Sequence, residues 1–403
     1  MKKIVLKFGG TSVRDENGRT HAKKHIQAAL DEGYKVVVVV SAMGRKGEPY
    51  ATDTLLSLIH SSERLISNRE TDLLLSCGEI ISSIVFTDML LSKGIQATAL
   101  TGAQAGFLTN TDHTNAKIID MKCDRLIQQF NQYDVVVVAG FQGRTQYGDM
   151  TTLGRGGSDT SAAALGAALN ADFIDIFTDV EGIMTADPRI AENARPLSVV
   201  TYSEVCNMAY QGAKVIHPRA VEIAEQARVP IRIRSTYSTD TGTLITNIQK
   251  EQEIKERMVT GIAHLPNVTQ IKVFAKKEQY DLQTEVFKAM ANEKISVDFI
   301  NISLNQIVYT VTEEMTNKAI GILHQLGHDP VIERDCAKVS VVGAGMAGVP
   351  GVTSKIVGAL SENGIRILQS ADSHTTIWVL VKQEELVKAI NSLHDAFELE
   401  KEI

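Results

Sequence analysis

The sequence predicts an α/β protein with a mostly parallel central sheet, followed by two smaller α+β units. Short segments rich in Val, Ile and Phe alternate with helix-like stretches along the first 245 residues, which is typical of a parallel sheet. Residues 36–40 are all valine, as in strands that helices cover on both faces. An internal repeat near the C-terminus predicts the two α+β units.

The expected strands and helices alternate along the first part. The runs of valine at 36–40 and 135–138 belong at the centre of the sheet, because both of their faces are apolar. The strands are expected at 3–8, 35–41, 134–139, 173–178 and 230–234, and the helices at 20–31, 82–93 and 160–170.

The composition indicates a folded chain of several domains. With 403 residues, of which 44% are hydrophobic and 22% charged, two or three domains are expected. The 41 basic and 48 acidic residues give a net charge of −7 without a basic cluster, which disfavours nucleic acid or an anionic membrane as partner. Apolar runs are short and no signal pattern opens the chain, so we expect neither secretion nor a membrane span.

The cysteines indicate a reducing compartment. They form no Cys-x-x-Cys pair and have no His at metal-ligand spacing, so we expect free thiols and a cytoplasmic location. The cysteines are Cys77, Cys123, Cys206 and Cys336.

A charged stretch at 249–257 predicts a solvated connector between the two parts. The expected division is a first domain at 1–245, a linker at 246–257 and a C-terminal region at 258–403. Within that region apolar positions recur 70 residues apart, as in Val286 with Ile356 and Ile295 with Ile365. Chance similarity is the alternative, but a register kept over roughly 55 residues favours duplication.

Each repeat reads as strand, helix, strand, strand, helix, at about 265–330 and 338–403. In the second repeat the strand after the first helix is expected at 366–370. Such units are α+β sandwiches with helices on one face of the sheet, and two of them can dock side by side.

The first chemical motif closes the first strand with a cation, two glycines and two hydroxyls. Glycines let backbone N–H groups approach an anion, and a nearby lysine can neutralise charge on a phosphoryl group in transfer. Because the lysine precedes the glycines, a P-loop is excluded. An ordinary tight turn with a surface lysine is the alternative. The motif is Lys7-Phe8-Gly9-Gly10-Thr11-Ser12.

A second glycine-rich loop, residues 151–161, leads into an Ala-rich helix. The N-terminus of a helix favours an anion, and Arg155 could grip a carboxylate with two parallel hydrogen bonds. This predicts a loop that binds an acidic substrate. A simple capping role for Ser158 or Asp159 is the alternative.

Other polar groups accompany these loops. Thr178 and Asp179 end a strand, where open α/β sheets bind ligands, and Arg189 and Lys214 supply cations further on. Glu79 is expected at the opening of a helix, where it could hold an ammonium group or serve the helix dipole.

Together the motif at 7–13, the loop at 154–160, Thr178-Asp179-Val180 and residues 212–218 resemble bacterial aspartokinases, of the amino-acid kinase fold. The resemblance covers the first 245 residues, and the repeated tail is similar to the paired ACT domains of monofunctional members. It implies MgATP-dependent phosphorylation of L-aspartate to 4-phospho-L-aspartate, the first step towards lysine, diaminopimelate, threonine and methionine.

The resemblance also implies individual roles. Lys7 and Lys214 would flank the phosphates, Asp159 would orient loop and substrate, and Met184 stands where the family usually has Tyr. The residues implied for aspartate are Ser41, Ala42, Thr52, Glu79, Arg155, Gly156, Gly157 and Ser158. Those implied for ATP are Lys7, Phe8, Gly9, Gly10, Thr11, Ser12, Thr178, Asp179, Met184, Arg189 and Lys214, with no protein-bound metal.

The segment 343–348 reads Gly-x-Gly-x-x-Gly, but the roughly 55 residues after it are too few for a dinucleotide-binding unit. In ACT domains this position is an effector loop. We expect effector sites near Asp298 and Asn301 in one repeat, and at 343–348 with 369–376 in the other, including Gly343, Gly345, Gln369, Thr375 and Thr376. A dimer through the tail is also expected.

The sequence is compatible with several alternative functions. A kinase of the same fold could act on glutamate or carbamate, although Arg155 with Glu79 favours a zwitterionic amino acid. A non-catalytic amino-acid sensor is a different class, and the joint presence of Lys7, Arg155, Asp159 and Lys214 speaks against it. Lysine, threonine and meso-diaminopimelate all remain candidates for the effector.

Overall fold

A computed structural model describes residues 1–59, 65–213, 215–247, 258–276, 281–346 and 348–401. The chain forms two units. The first comprises residues 1–183, 196–209 and 214–252, and the second comprises 184–195, 210–213 and 253–403. The predicted charged connector at 249–257 lies outside the described residues.

The elements up to the end of the first unit follow the predicted alternation. In chain order they are β1 (Lys3–Phe8), α1 (Gly10–Val13), α2 (Glu16–Asp31), β2 (Lys35–Val40), α3 (Thr52–Ser57), α4 (Asn68–Ser92), β3 (Ala97–Leu100), α5 (Gly102–Ala105), β4 (Phe107–Thr109), β5 (Ile118–Met121), α6 (Asp124–Gln129), β6 (Val135–Ala139), β7 (Gln142–Arg144), β8 (Met150–Thr152), α7 (Gly157–Leu169), β9 (Phe173–Thr178), β10 (Val199–Val200), α8 (Tyr202–Tyr210), α9 (Pro218–Ala227), β11 (Ile231–Ser235) and β12 (Thr243–Ile245).

The main sheet has the strand order β10-β12-β11-β9-β1-β2-β6-β3. Its neighbouring strands are parallel except β11 and β12, which confirms the predicted mostly parallel sheet. Every residue of β6 and all of β2 except its first residue are buried, as the all-apolar runs predict. Because β1, β2, β6 and β9 are parallel, their carboxyl ends meet at one edge, where the predicted motifs converge.

Helix α4 is much longer than predicted, since it begins at Asn68 instead of residue 82. Ser67 caps it by accepting a hydrogen bond from Arg69 N. The expectation that Glu79 opens a helix is therefore wrong, because Glu79 lies in the helix interior. Glycine is needed at position 78 because a Cβ there would lie only 2.9 Å from the Cβ of Ala42. By length and composition α4 could span a membrane, but half of its most apolar stretch is buried inside the protein.

Helix α7 begins at Gly157, three residues earlier than predicted, so it includes the last residues of the predicted glycine-rich loop. Its N-cap is Gly156, which has φ of +67° and makes no side-chain cap. A capping role for Ser158 or Asp159 is therefore wrong, since both lie inside the first turn.

The second unit contains the two predicted repeats. Their elements are β13 (Gly261–Phe274), α10 (Leu282–Asn292), β14 (Asp298–Ile302), β15 (Gln306–Thr312), α11 (Glu313–Gln325), β16 (Val331–Val342), α12 (Val352–Glu362), β17 (Gln369–Asp372), β18 (Thr376–Lys382) and α13 (Leu386–Ala396), with single 3₁₀ turns at Ala344–Met346 and Gln383–Glu385. The order strand, helix, strand, strand, helix is confirmed in both copies, although β17 begins three residues later than predicted.

The repeats share one antiparallel sheet, in the order β14-β15-β13-β16-β18-β17. Residues 261–265 of β13 pair with 338–342 of β16, whereas residues 268–272 pair with its earlier part. The long strands β13 and β16 therefore each extend through the sheet of both repeats. The two edge strands also meet, because Gln369 Nε2 of β17 donates to Phe299 O of β14 at 2.5 Å.

Two short segments inside the predicted first domain belong to the second unit, namely 184–195 and 210–213. Ala186 and Ala191 are buried in the apolar core of the second repeat. Ile262 N donates to Thr185 O at 2.7 Å, and Thr185 Oγ1 shares a 3.0 Å hydrogen bond with His394 Nε2. No composition change marks these segments, so the sequence could not assign them.

Candidate active site

The carboxyl-end edge of the main sheet holds a cleft of about 390 Å³. Nine of the predicted residues share it, which brings the glycine-rich loop to the end of the first strand. Its lining is Lys7, Ser41, Thr52, Leu75, Glu79, Thr114, Phe141, Thr152, Gly154, Arg155, Gly156, Gly157, Ser158 and Asp159.

A second cleft of about 440 Å³ adjoins the first, since Ser41 and Thr52 line both. Predicted Gly10 and Ala42 lie here, together with Arg45 and Lys46, two cations outside the predicted motifs. The remaining lining residues are Gly44, Ala51 and Asp53.

Lys7 and Asp159 form an ion pair across the cleft. Lys7 Nζ lies 2.7 Å from Asp159 Oδ1, and both side chains are largely buried. Strand β1 supplies the lysine and the first turn of α7 supplies the carboxylate. A charge pair of this length fixes the direction of the lysine, so its ammonium is oriented before a ligand arrives.

Glu79 presents a buried carboxyl to the cleft. The residue is 2% exposed, and its Oε1 accepts a hydrogen bond from Ala42 N at 3.0 Å. Among the described residues its Oε2 has no hydrogen-bond partner. Burial raises the pKa of Glu79 from 4.5 to about 8, against the lowering effect of the backbone hydrogen bonds. Burial in the free cleft therefore favours the protonated form of this group.

The glycine-rich loop uses conformations that favour glycine. Gly154 has φ of +73° and Gly156 has φ of +67°. A Cβ on Gly156 would also lie 2.3 Å from the side chain of His217. The loop carries Arg155 exposed on the cleft wall, where its guanidinium can reach a carboxylate.

The turn after β1 is equally tight. A Cβ on Gly10 would lie 2.6 Å from Ala42 O, so only glycine fits. Ser12 is buried, and its hydroxyl lies 2.6 Å from Thr236 Oγ1. Phe8 is buried against Phe177, with ring centroids 4.7 Å apart. The side chains of Ser12 and Phe8 thus make structural contacts. Gly9 and Thr11 lie in the same turn.

The residues predicted to bind ATP fall in both units of the chain. Asp179 accepts from Arg45 Nη2 at 2.7 Å, and Thr178 Oγ1 donates to Asp179 Oδ1 at 3.2 Å. Met184 and Arg189 belong to the second unit, where Arg189 pairs with Asp187 at 2.6 Å. The predicted Lys214 lies outside the described residues.

The cleft also contains residues that lie outside the predicted motifs. Thr114 and Phe141 have φ of +70° and +67°, rare values for residues other than glycine that no motif reveals. Phe141 follows β6 closely, and its place at the carboxyl end of a predicted strand was the available signal.

The predicted effector residues group differently from expectation. Gln369 was expected beside the loop at 343–348, but its Oε1 accepts from Gln270 Nε2 at 2.8 Å. The Gln369 amide also donates to the backbone of β14. Asp298, on the same strand, forms an ion pair with Lys338. The original grouping is wrong for Gln369, because the residue begins β17 and lies at the end of the β17–β18 pair away from residue 376.

The other predicted effector residues stay near their expected positions. Gly343 N donates to Thr375 O at 3.0 Å, and Thr376 pairs with Val342. Gly345 lies in the 3₁₀ turn after β16, and Asn301 is exposed on β14.

Comparison with known proteins agrees with this geometry. The amino acid kinase family profile matches residues 2–235, and an ACT domain profile matches 331–395. Aspartokinase 1 of Bacillus subtilis (strain 168) is 67% identical over 404 residues, covering 100% of both chains.

Two solved structures of E. coli aspartokinase III share the architecture. The complex with aspartate and ADP (R-state) has a TM-score of 0.79 at 25% identity, covering 98% of this chain and 99% of that one. The complex with lysine and aspartate (T-state) has a TM-score of 0.79 at 26% identity, covering 98% and 100%. Fold and cleft thus define a member of the amino acid kinase family. Within that family, the chain belongs to the aspartokinases.

Proposed function

We propose that this chain is an aspartate kinase, which transfers the γ-phosphoryl group of ATP to the side-chain carboxylate of L-aspartate. The products are 4-phospho-L-aspartate and ADP. The observation that carries the proposal is the single cleft in which Glu79, Arg155 and Lys7 meet. They offer partners for an ammonium, a carboxylate and a phosphoryl group.

The chemistry requires positioning more than proton transfer. An ionised aspartate side chain is already a nucleophile, so its oxygen attacks the γ-phosphorus while the bond to the β-phosphate oxygen breaks. Arg155 holds the α-carboxylate, and Glu79 receives the ammonium through Oε2, the oxygen that has no hydrogen-bond partner in the described part of the chain. Lys7, oriented by Asp159, neutralises charge on the phosphoryl group in transfer.

ATP enters this scheme with Mg²⁺. The described residues include no cluster of three or more His, Cys, Asp or Glu able to hold a metal. Mg²⁺ commonly binds substrate phosphates with one or two carboxylates and several waters, and Asp159 offers one carboxylate at the cleft. The ion would neutralise phosphate charge, and Arg45 and Lys46 add positive charge in the adjoining cleft.

A coupled assay of ADP release tests the acceptor. We expect ADP formation with L-aspartate and only background with L-glutamate or no acceptor. Equal rates with and without aspartate would contradict the assignment, and a preference for glutamate would identify another kinase of the same fold.

The second unit supports regulation by an amino acid. One of the similar structures contains lysine with aspartate, and we propose an end-product amino acid as effector here. The effector would bind near Asp298 and Gln369, or near Gly343 and Thr375. Lysine, threonine and meso-diaminopimelate remain candidates, which a thermal-shift screen would separate because a bound effector raises apparent stability.

We also propose a homodimer through the second unit and a cytoplasmic location. Edge strand β14 exposes Ile300 and Ile302, and Leu304 follows it fully exposed. Exposed apolar residues on a sheet edge favour pairing with another chain. The four cysteines are free, as expected of a reducing compartment.

Replacing Arg155 with lysine should raise KM for aspartate and leave KM for ATP nearly unchanged. A lysine cannot reproduce the planar two-bond grip on a carboxylate. Loss of one charged hydrogen bond corresponds to roughly a tenfold to hundredfold change. Steady-state kinetics with each substrate varied would measure it, with exposed Arg144→Lys as the control. Equal weakening of both substrates would instead indicate collapse of the loop.

Deleting residues 258–403 should abolish the effector response and also destabilise the remaining chain. The deletion removes the residues that cover Ala186 and Ala191, and the partners of Thr185. Melting temperature, oligomeric state and inhibition by pathway amino acids would be compared with the full chain. A truncated protein that stays dimeric and responds to such an amino acid would place regulation in the first unit.

A further inference from the structure

Asp72 is a buried carboxylate that no predicted motif includes. It lies in α4 and is 0% exposed. Its Oδ1 accepts from Thr152 Oγ1 at 2.5 Å, and both carboxylate oxygens accept from Thr114 N at 3.0 Å. His113 Nδ1 lies 2.9 Å from Oδ2. A carboxylate this deep is costly unless such donors compensate its lost hydration.

Two of these donors belong to residues of the substrate cleft. Thr114 and Thr152 both line it, whereas Asp72 itself does not. Thr114 has φ of +70°, a strained backbone conformation for a residue other than glycine. The two bonds from its N–H to Asp72 hold this strained conformation in place.

The same loop supports the segment that carries Arg155. A Cβ on Gly154 would lie 2.8 Å from Asn115 Oδ1 and 3.2 Å from Thr114 O, so the loop lies directly against this glycine. Ala116 N also donates to Thr152 O at 2.9 Å. The loop after residue 112 and the end of β8 thus form one continuous wall.

We infer that Asp72 is a positioning residue for the amino-acid substrate. It acts by fixing Thr114 and Thr152, and through Gly154 it sets the place of Arg155. The inference rests on the proposed function, because it takes the cleft as the aspartate site. Asp72 should therefore affect the binding of aspartate more than that of ATP.

The test compares Asp72→Asn with the wild-type chain. An asparagine keeps the shape but offers one acceptor oxygen, and its NH₂ group meets donors. We expect KM for aspartate to rise about tenfold or more, while KM for ATP stays within about twofold. Hydrogen–deuterium exchange of a peptide covering residues 110–117 should become faster. If this variant fails to fold, Thr152→Val removes one of the contacts and should show the same pattern more weakly.

Asp88→Asn, at an exposed position of the same helix, is the control and should change neither quantity. Unchanged exchange at 110–117, or equal increases in both KM values, would overturn the inference. A wild-type chain without aspartate-dependent ADP release would refute the proposed function. In that case the exchange rates alone decide, because faster exchange supports the anchoring role of Asp72 and unchanged exchange overturns it.

Discussion

Lys7→Ala should lower kcat by about a hundredfold or more, with a much smaller change in KM for aspartate. The ammonium lies 2.7 Å from Asp159 and is already oriented in the free cleft. Its charge matters most when negative charge shifts during phosphoryl transfer, so its loss acts on the transition state more than on substrate binding. Steady-state kinetics with saturating ATP would measure the effect.

The matched control is Lys24→Ala, at an exposed position of α2. This variant should retain wild-type kinetics. A Lys7→Ala enzyme whose kcat stayed within a factor of a few would make Lys7 a structural residue that merely pairs with Asp159.

Glu79→Gln should raise KM for aspartate by roughly tenfold to hundredfold, because a neutral amide replaces the carboxylate that receives the ammonium. The amide oxygen can keep the bond from Ala42 N, so the helix and the end of β2 should remain in contact. The exposed Glu70→Gln on the same helix is the control. Unchanged KM for aspartate would remove Glu79 from the binding site.

Because the pKa of Glu79 is about 8, the contribution of Glu79 to aspartate binding should depend on pH. Below pH 8 the ammonium must displace a proton, so KM for aspartate in the wild-type chain should fall as pH rises from 6 to 8. The slope should approach roughly tenfold per pH unit at the acidic end, since one proton is released per ligand. Glu79→Gln should flatten this profile.

The free energy of unfolding should fall as pH rises, whereas the affinity for aspartate should increase. The unfolded chain releases the Glu79 proton near its usual pKa of 4.5, whereas the folded chain keeps it until about 8. Folding therefore binds a proton within this window, and the contribution of Glu79 to the free energy of unfolding falls as pH rises through it. Glu79→Gln should lose this contribution, which denaturant titrations at pH 6 and 8.5 would detect.

The strands of the first unit could be predicted because their sequence carries its own signal. The valine runs of β2 and β6 are apolar at every position, and only a strand covered on both faces uses such a run. The predicted helix at 82–93 is only the C-terminal part of α4, and glycine, as at position 78, generally disfavours a helix interior. In the fold, Gly78 instead permits close packing against Ala42.

The cleft could be predicted only where a local motif exists. Lys7 and Arg155 could be identified because each lies beside glycines, and tight turns that bind anions require glycine. The environment of Glu79 depends on Ala42 N at the end of another strand, and that of Asp72 on a loop about 40 residues away. Such partners become neighbours only after folding, so no spacing rule could reveal them.

The identity of the phosphorylated product tests the proposed phosphoryl transfer to aspartate most directly. The chain would be incubated with ATP, Mg²⁺ and L-aspartate, and the acyl phosphate trapped with hydroxylamine. We expect the hydroxamate on the side-chain carboxyl group, formed in a one-to-one ratio with ADP. ADP release without hydroxamate, or a hydroxamate on the α-carboxyl group, would contradict the assigned orientation of aspartate between Arg155, Glu79 and Lys7.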